Sequence, residues 1–532
     1  MTLKNIDIVK IEKAIAGLSK NKRSLLMLFM GLFSAAAFAP IYFMPAYMIA
    51  MPLFLMTIMA TRGFKQTFMA GYLFGFGHFF AGLYWIGNSF AVEADVPDWG
   101  GPIMVALLAV YLSIFPALVG LVTRYLHDKF GNRGNIFHDV LNFSVLWAVS
   151  EWLRGVLFTG FPWNLTGYLW GFSDTMLQNV SIWGIYGLGL FTIIFCFVPF
   201  LMMTRQNRWW ALAGALVMVF GLFYYGNARL PEQIEYVDDV NLRVVQANIK
   251  QQDKWPYENW AKNLITHMDL SEGEERKTSG KDIIIWPETA VIYSLSEEPM
   301  RRDLISSVLD EGDMVLTGFP RRQRDPDQTR IYNSLMAIDK AGDIGGIYDK
   351  SHLVPFGEYI PSFIEAIMIP LGLNQLFTGG QGFSSGEGIK TLNLDGLPPV
   401  GILICYEVIF PGQVTENGNR PDWLLNITND AWYGESTGPY QHLLQTRVRA
   451  IEEGLPLVRS ASTGVSAVID PYGRIVDQVE LNKRGVINRA LPQKISNETL
   501  YSILKQWTFT CISVILFIVN IVLVARNARV NR

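Results

Sequence analysis

Eight long apolar runs constrain the fold of this chain more than any other feature of its sequence. They lie near residues 24–40, 44–61, 66–88, 102–125, 138–158, 178–203, 209–226 and 505–525. A hydrocarbon layer of about 30 Å is crossed by roughly 20 apolar residues in a helix, which hydrogen-bonds its own backbone groups where no water is available. The sequence therefore predicts a membrane protein with eight transmembrane α-helices.

The charged residues are concentrated outside these runs. The chain of 532 residues is 50% hydrophobic and 17% charged, with a mean hydropathy of +0.23, which is too apolar for an ordinary soluble protein. Between the seventh and eighth runs, however, the charge density is that of a globular domain. We divide the chain into a leader (1–23), a seven-helix region (24–226), a soluble domain (239–490) and a last helix (505–525).

The distribution of lysine and arginine predicts the orientation of these helices. Short loops rich in the two residues are retained in the cytoplasm. Three connections, 40–44, 93–98 and 160–164, contain neither residue. The alternate connections and both ends carry Lys4, Lys10, Lys13, Lys20, Lys22, Arg23, Arg62, Lys65, Arg124, Lys129, Arg133, Arg205, Arg208, Arg526, Arg529 and Arg532. We therefore expect both termini in the cytoplasm and the soluble domain on the opposite side of the membrane.

The first apolar run has a second interpretation. Basic residues followed by an apolar stretch and the small residues 34–39 also resemble a signal peptide with its cleavage site. The basic leader is longer than such peptides usually carry, so we expect the segment to be retained. Its apolar residues between Ile6 and Leu18 have helical spacing, which is typical of a helix lying on a membrane surface.

Several ligand classes are not expected for the soluble domain. The net charge of −3 and the lack of a basic cluster within the domain argue against nucleic acid. The six histidines show no metal-ligand spacing, and no cofactor motif occurs. Cys196 and Cys511 lie in apolar runs, so Cys405 is the only cysteine of the soluble domain and has no local partner for a disulfide or a zinc site.

Strand and helix patterns alternate along the soluble domain. The runs 241–248 and 282–286 are short and rich in β-branched residues, as in strands buried on both faces, and 258–270 has helical spacing between them. Further strands are predicted at 314–318, 332–338, 400–404, 423–427, 457–460 and 466–469, with a helix at 440–453. This alternation predicts layered α/β packing. The acidic stretch 232–239 and residues 491–499 are expected as linkers.

Three polar residues adjoin the predicted strands. Glu288 follows the strand 282–286, Lys350 lies in a polar segment, and Cys405 ends the strand 400–404. Taken singly, each has an ordinary explanation. A carboxylate after a strand often caps a helix or faces solvent, a loop lysine is usually solvated, and a lone buried cysteine usually acts as a small hydrophobe.

Together, the three residues fit acyl transfer, which requires a nucleophile, a proton carrier and a positive site for an oxyanion. Residues 286–288 (Trp-Pro-Glu), 348–350 (Tyr-Asp-Lys), 354–358 (Val-Pro-Phe-Gly-Glu) and 404–407 (Ile-Cys-Tyr-Glu), in this order, resemble the nitrilase superfamily of carbon–nitrogen hydrolases with its Glu-Lys-Cys triad. The resemblance implies a nitrilase-like α/β fold with α-β-β-α layers for 239–490.

With eight apolar runs around this domain, the whole chain resembles the apolipoprotein N-acyltransferases of bacterial envelopes. Further motifs of that family are present in both parts of the chain, at 151–155, 159–163, 245–255 and 429–442. One departure is Ser462, where an asparagine is expected. It affects a loop contact and leaves the three chemical residues in place.

The resemblance implies a role for each residue of the site. Glu288 would be the general base, Cys405 the nucleophile, and Lys350 the oxyanion stabiliser together with the backbone N–H of Tyr406. Glu358 is the family's supporting carboxylate, which orients Lys350 or forms only a structural salt bridge. Tyr406 and Glu407 flank the nucleophile, and Glu407 has the alternative role of accepting backbone N–H groups behind the strand.

The resemblance also implies the reaction. An acyl chain would pass from a phospholipid to Cys405 as a thioester, and then to the N-terminal α-amine of a diacylglyceryl-cysteine in an apolipoprotein, as the last step of lipoprotein maturation. The expected partners are the phospholipid donor, the apolipoprotein acceptor and the membrane itself. The protein would be a monomer in the bacterial inner membrane, with its catalytic domain in the periplasm.

Four residues are expected to contact substrate. Trp255 and Trp432 belong to family motifs, although Trp255 also fits a packing role. Phe363 and Leu371 lie in the strongly apolar segment 359–377, whose flanking glycines allow bending. We expect this segment to be a mobile arm that enters the outer leaflet and gates the cleft. The alternative is an ordinary buried helix of the domain core.

Two pairs of residues, and the activity as a whole, each have a second interpretation. Glu151 and Arg154 form either a structural i,i+3 pair or a contact to a lipid headgroup. His352 and His442 permit a Cys-His pair, but Glu288 and Lys350 make one unnecessary.

A membrane-anchored hydrolase of nitriles or small amides would share the three chemical residues, and a binding module with an inactive site would share the fold.

Overall fold

Two compact units make up the protein. The computed structural model describes residues 8–93, 99–130, 136–204, 207–273, 280–326, 328–361 and 382–530. The first unit combines Met1–Gly87, Trp99–Leu230 and Leu500–Arg532, and the second combines Asn88–Asp98 with Pro231–Thr499.

The first unit is built from α-helices. Together with the helix Ile86–Glu93 that leads out of it, its described helices are Ile8–Gly17, Lys20–Ser34, Met44–Ala60, Phe64–Gly82, Gly100–Leu112, Ile114–Phe130, Phe137–Val156, Asp174–Leu177, Val180–Cys196, Val198–Met202, Arg208–Arg229, Leu500–Leu504 and Trp507–Val530. Each of the eight predicted spans overlaps at least one of these helices.

Three of these helical stretches are long and apolar enough to cross a membrane. Within the described residues they are Gly100–Phe130, taken across the break at Ser113, Val180–Met202 and Arg208–Arg229. Met44–Ala60 and Trp507–Leu523 are apolar but shorter. Fewer spans than the eight predicted therefore satisfy both conditions. Charge accounts for part of the difference, because Phe137–Val156 contains Asp139, Glu151 and Arg154.

Glycines allow two helices of the first unit to approach closely. A Cβ at Gly31 would lie 2.0 Å from the carbonyl oxygen of Phe74, and a Cβ at Gly77 would lie 2.3 Å from that of Leu28. Both distances are far inside van der Waals contact. The crossing of Lys20–Ser34 with Phe64–Gly82 thus depends on small residues at the interface, a common way of packing helices in membranes.

Glu151 and Arg154 are both buried and bind the segment that follows their helix. Glu151 Oε1 accepts hydrogen bonds from the Thr166 backbone N–H at 2.9 Å and the Thr166 hydroxyl at 2.7 Å. Arg154 Nη1 donates to the carbonyls of Phe161 at 2.6 Å and Trp163 at 2.7 Å. These contacts support the structural explanation of the two charges, since they satisfy the polar backbone of an irregular segment.

We predict that Gly77→Ala destabilises the first unit. The added methyl group must displace the Leu28 carbonyl, and overpacking of this kind typically costs about 1–3 kcal/mol. Gly214→Ala is the matched control, because a Cβ at Gly214 meets nothing within 4 Å. Thermal unfolding of the detergent-solubilised proteins should give a lower midpoint for Gly77→Ala alone. Equal midpoints for the two variants would contradict the close crossing.

The second unit contains two six-stranded mixed β-sheets. The strands are β1 Tyr236–Gln246, β2 Lys281–Ile285, β3 Met314–Arg324, β4 Thr329–Asp339, β5 Ile344–Asp349, β6 Thr391–Leu392, β7 Val400–Ile404, β8 Trp423–Thr428, β9 Leu457–Ala461, β10 Ser466–Ile469, β11 Ile475–Val479 and β12 Gly485–Pro492. One sheet has the order β12-β1-β2-β3-β4-β5 and the other β11-β10-β9-β8-β7-β6. The pairs β1–β2, β2–β3, β7–β8 and β8–β9 are parallel.

Alternating side chains produce the layers of this unit. In β2, Ile283 and Ile285 belong to a core shared with Ile402 and Ile404 of β7, so these faces of the two sheets pack together. Ile284 faces the opposite way and joins a second core. The described helices of the unit are Tyr257–Glu272 and Pro299–Ser306, which contribute to that second core, and Gly438–Glu453, which contacts β9 of the other sheet. The result is the α-β-β-α arrangement that the resemblance implied.

The buried strands match the predictions better than the edge strands do. All eight predicted strands overlap observed ones, and the helices predicted at 258–270 and 440–453 lie within Tyr257–Glu272 and Gly438–Glu453. The sequence patterns did not predict β5, β6, β11, β12 or the helix Pro299–Ser306. The stretch 232–239 is only partly a linker, because β1 begins at Tyr236, where it pairs with Pro492 of β12.

The expected apolar arm falls largely outside the described residues. Phe363 and Leu371, both expected to contact substrate, are among the residues that the structure does not describe.

Candidate active site

Three strand ends carry the predicted chemical residues. Glu288 follows β2 after Trp286 and Pro287, Lys350 directly follows β5, and Cys405 directly follows β7. All three are buried within the second unit. β2 and β5 belong to one sheet and β7 to the other, so the packed pair of sheets brings these residues into one cluster.

Lys350 is held between two carboxylates. Its Nζ lies 2.8 Å from Glu358 Oε1 and 3.8 Å from Glu288 Oε1, and its side chain is 1% exposed. Burial alone would lower the pKa of Lys350, but Glu358 and Glu288 outweigh it and raise that pKa above its ordinary value. Lys350 is therefore a permanent ammonium at neutral pH.

Two further donors fix the Glu288 carboxylate. Asn333 Nδ2 donates to Glu288 Oε1 at 2.7 Å, and the backbone N–H of Asn429 donates to Oε2 at 2.7 Å. Asn333 also donates to Glu358 Oε1 at 3.0 Å, so one amide joins both carboxylates. Hydrogen bonds of this kind stabilise the ionised form of a carboxyl group and orient it.

Cys405 has an unusual backbone and a protonated thiol. Its φ of +52° lies in the left-handed region, which costs a non-glycine residue on the order of 1–3 kcal/mol. Burial, followed by the negative charge of Glu288, raises the pKa of Cys405 to about 12 against the opposing effect of Lys350. The thiol therefore keeps its proton at neutral pH, and its attack on a carbonyl requires a base.

A buried network holds the strained backbone from behind. The Cys405 carbonyl accepts from His442 Nε2 at 3.3 Å and from Asn426 Nδ2 at 3.4 Å. Arg459 Nη2 lies 2.6 Å from Asp430 Oδ2 and 3.1 Å from His442 Nδ1. His442 Nδ1 also lies 3.1 Å from Asp430 Oδ1, and burial, then the charge of Arg459, lowers the pKa of His442.

Glu407 accepts hydrogen bonds from backbone N–H groups, as the structural alternative for this residue requires. Its Oε1 accepts from the N–H groups of Ser351 at 2.8 Å and His352 at 3.1 Å, and its Oε2 accepts from that of Ile404 at 2.7 Å. Tyr348 adds a hydroxyl donor at 2.8 Å. Glu407 thereby joins the segment after Lys350 to the end of the strand that carries Cys405.

Known proteins resemble both parts of the chain. A family described as "Apolipoprotein N-acyltransferase N-terminal domain" matches residues 30–198, and one described as "Carbon-nitrogen hydrolase" matches residues 241–498. An apolipoprotein N-acyltransferase of Rhodopseudomonas palustris is 40% identical over 500 residues, which are 90% of this chain and 91% of the relative. The chain belongs to the apolipoprotein N-acyltransferase family.

A second relative agrees with that membership. The apolipoprotein N-acyltransferase of Rickettsia prowazekii is 35% identical over 490 residues, covering 90% of this chain and 94% of the relative. Among solved structures, an amidase from Nesterenkonia sp. has 18% identity and a TM-score of 0.35, and the match covers 49% of this chain and 93% of the amidase. As an apolipoprotein N-acyltransferase family member with a carbon–nitrogen hydrolase domain, the protein is an acyltransferase.

The other site residues predicted from the sequence of this apolipoprotein N-acyltransferase family member differ in burial and in the groups they contact. Trp255 is 42% exposed, and Trp432 is half-buried in the short 3-10 turn Asp430–Tyr433. Tyr406 is buried, with its ring edge-on to Phe410 at 5.1 Å. The His352 ring stacks on Phe410 at 3.8 Å. His442 contacts the carbonyl of Cys405, so its position is that of a backbone support.

Sequence reasoning missed two residues of the site. Asn333 lies within β4, where its polar side chain gave no periodic signal. Lys254 follows β1, is 3% exposed, and donates from Nζ to the Glu288 carbonyl at 3.0 Å. Lys254 immediately precedes Trp255 in a family motif. This position beside a predicted site residue was the one sequence feature that could have identified Lys254 as part of the site. No group of three or more possible metal ligands occurs in the described part of the chain.

We predict that Glu288→Gln makes the Cys405 thiol easier to ionise. The substitution removes the negative charge that raises the pKa of Cys405, so that pKa should fall by about 1–3 units. Alkylation of Cys405 by iodoacetamide, followed by peptide mass spectrometry across a pH series, measures the change. Glu311→Gln, which replaces an exposed carboxylate, serves as control. An alkylation midpoint that stays or rises in Glu288→Gln would show that the carboxylate does not act on the thiol.

Proposed function

We propose that this protein transfers an acyl chain from a phospholipid to the N-terminal α-amine of diacylglyceryl-cysteine in apolipoproteins, through a thioester on Cys405. The observation that carries the proposal is the buried contact of Lys350 with Glu288 and Glu358 beside a protonated thiol. Membership in the apolipoprotein N-acyltransferase family supports the same reaction. The transfer is the last step of lipoprotein maturation.

The first half-reaction forms the thioester. Glu288 takes the thiol proton as Cys405 Sγ attacks the ester carbonyl of the phospholipid. The Lys350 ammonium and the backbone N–H of Tyr406 stabilise the resulting oxyanion. The bond to the glycerol oxygen then breaks, and Glu288 returns the proton to that oxygen. A lysophospholipid leaves, and the acyl group remains on Cys405.

The second half-reaction forms an amide. The neutral α-amine of the acceptor attacks the thioester carbonyl, and Glu288 accepts the proton that the nitrogen loses. The tetrahedral species uses the same two donors as before. Its collapse breaks the carbon–sulfur bond, and the proton on Glu288 returns to the Cys405 thiolate. Because one product leaves before the second substrate reacts, the kinetics are ping-pong.

A membrane setting suits both substrates. Extracting an acyl chain into water costs about 0.8 kcal/mol per methylene, so a site at the bilayer surface avoids that cost. We propose eight spans, cytoplasmic termini and a periplasmic catalytic domain in the bacterial inner membrane, supported by the eight apolar runs and by the lysine and arginine distribution. The three long apolar helices support the membrane setting alone. Trp255, Trp432, Phe363 and Leu371 are proposed to contact the acyl chains, with the segment 359–377 as the gate.

The proposal includes roles for the supporting residues and for the assembly. Glu358 orients Lys350, and Asn333 connects Glu358 to Glu288. The reaction proceeds without a metal or a cofactor, because each proton transfer uses a side chain already in the cluster. The protein works as a monomer and binds no nucleic acid.

Mass spectrometry of the full-length protein tests the proposal. After incubation with a phospholipid of defined acyl length, we expect the acyl mass on the Cys405 peptide, and no adduct in Cys405→Ser. Cys511→Ser is the matched control, since it removes an exposed cysteine outside the second unit and should keep the adduct. Absence of any adduct on the native protein would count against the thioester.

Adding a diacylglyceryl-cysteine peptide distinguishes the transferase from a hydrolase. We expect the acyl mass to leave Cys405 and appear on the α-amine of the peptide. A membrane-anchored hydrolase would instead release free fatty acid at the same rate with or without the peptide. A binding module with an inactive site would bind lipid and leave Cys405 unmodified.

A further inference from the structure

A second buried lysine lies beside the candidate base. Lys254 follows the short 3-10 turn Gln251–Asp253 after β1, and its side chain is directed inward, with 3% of the residue exposed. Its Nζ donates a 3.0 Å hydrogen bond to the backbone carbonyl of Glu288. An ammonium buried to this degree is expensive unless nearby negative charge stabilises it.

The charges of the site leave a place for a second cation. Glu288 and Glu358 share the single ammonium of Lys350, so these three groups carry one net negative charge. Asp430, which also acts on the thiol, is already paired with Arg459 at 2.6 Å. A thiolate or an oxyanion formed at Cys405 would add negative charge to a cluster that already has an excess of it. The Lys254 ammonium brings Glu288, Glu358 and the two lysines to neutrality.

We propose that Lys254 is a positioning residue for acyl transfer, whose ammonium holds the Glu288 backbone and supplies the positive charge that lets negative charge develop on Cys405. This inference rests on the proposed function for its kinetic consequence. The electrostatic effect on the thiol does not depend on that function, and it is measured separately.

The ionisation of Lys254 provides a distinct signature. Burial lowers the pKa of Lys254 to about 8, although the charges of Glu288 and Cys405 act in the opposite direction. Among the described residues, His267 on the helix Tyr257–Glu272 also interacts with Lys254, and burial lowers the pKa of His267 to about 4, so this ring is neutral where Lys254 titrates. The ammonium is present below about pH 8 and is lost above it. Acylation of Cys405 should therefore slow as the pH rises through that value.

Three variants test the proposal in full-length protein. Lys254→Met keeps most of the side-chain volume without the charge, Lys254→Arg keeps the charge, and Lys262→Met is the control because Lys262 is exposed on the neighbouring helix. In Lys254→Met we expect Cys405 acylation by phospholipid to slow on the order of 10²-fold, with no alkaline decline near pH 8. Lys254→Arg should recover part of the rate and retain activity to higher pH.

Iodoacetamide alkylation of Cys405 supplies the second readout. Loss of the Lys254 charge should lower the rate of Cys405 alkylation at pH 7, where the ammonium is present, while Lys262→Met should leave both this rate and the acylation rate unchanged. An unchanged alkylation rate at pH 7 in folded Lys254→Met would overturn the proposal, even if acylation slowed, because a purely structural role would then explain the loss. If wild-type protein forms no acyl adduct, the proposed function fails, yet the alkylation rate at pH 7 still decides the role of Lys254.

The wild-type pH profile keeps the test decisive if Lys254→Met does not fold. Thermal unfolding identifies that case. A single-turnover acylation rate that declines above about pH 8 then supports the proposal, and a rate that stays constant to the upper limit of protein stability overturns it.

Discussion

One buried ammonium organises the polar groups of the candidate site. Lys350 is almost completely withdrawn from solvent, and the removal of an ion from water costs several kcal/mol unless partners replace the lost hydration. Those partners, Glu288 and Glu358, come from separate segments of the second unit. Because neither carboxylate reaches the lysine until its own segment is packed, this cluster depends on correct assembly of the sheet that contains β2 and β5.

The packed sheets also explain how a strained nucleophile is maintained. Cys405 adopts a left-handed backbone conformation at the end of β7, where the core between the sheets surrounds the strand. The energetic cost is a small fraction of what a core of this size stabilises. His442 and Asn426 bind the Cys405 carbonyl, and Glu407 binds the N–H of Ile404. The backbone on both sides of the sulfur is thus held by buried side chains.

Local pattern in the sequence was sufficient for the buried strands, whereas the grouping of Glu288, Lys350 and Cys405 was predicted from the order of motifs that resembles the nitrilase superfamily. Runs such as 282–285 can be recognised as strands without tertiary information, because consecutive β-branched residues fit a strand covered on both faces. β11 and β12 lack that signal, since each is half-exposed and depends on pairing, β11 with the neighbouring β10 and β12 with the distant β1. Lys254 could not be assigned from sequence for a similar reason: its role depends on a hydrogen bond to a residue far along the chain. The number of spans does not follow from hydropathy alone either, because buried charges such as Glu151 depend on tertiary partners.

The support behind Cys405 separates the placement of sulfur from the recognition of lipid. His442, Asn426, Arg459 and Asp430 are fully enclosed and touch the backbone or one another. Substitutions outside this network can therefore change the surroundings of Cys405 while the sulfur keeps its position.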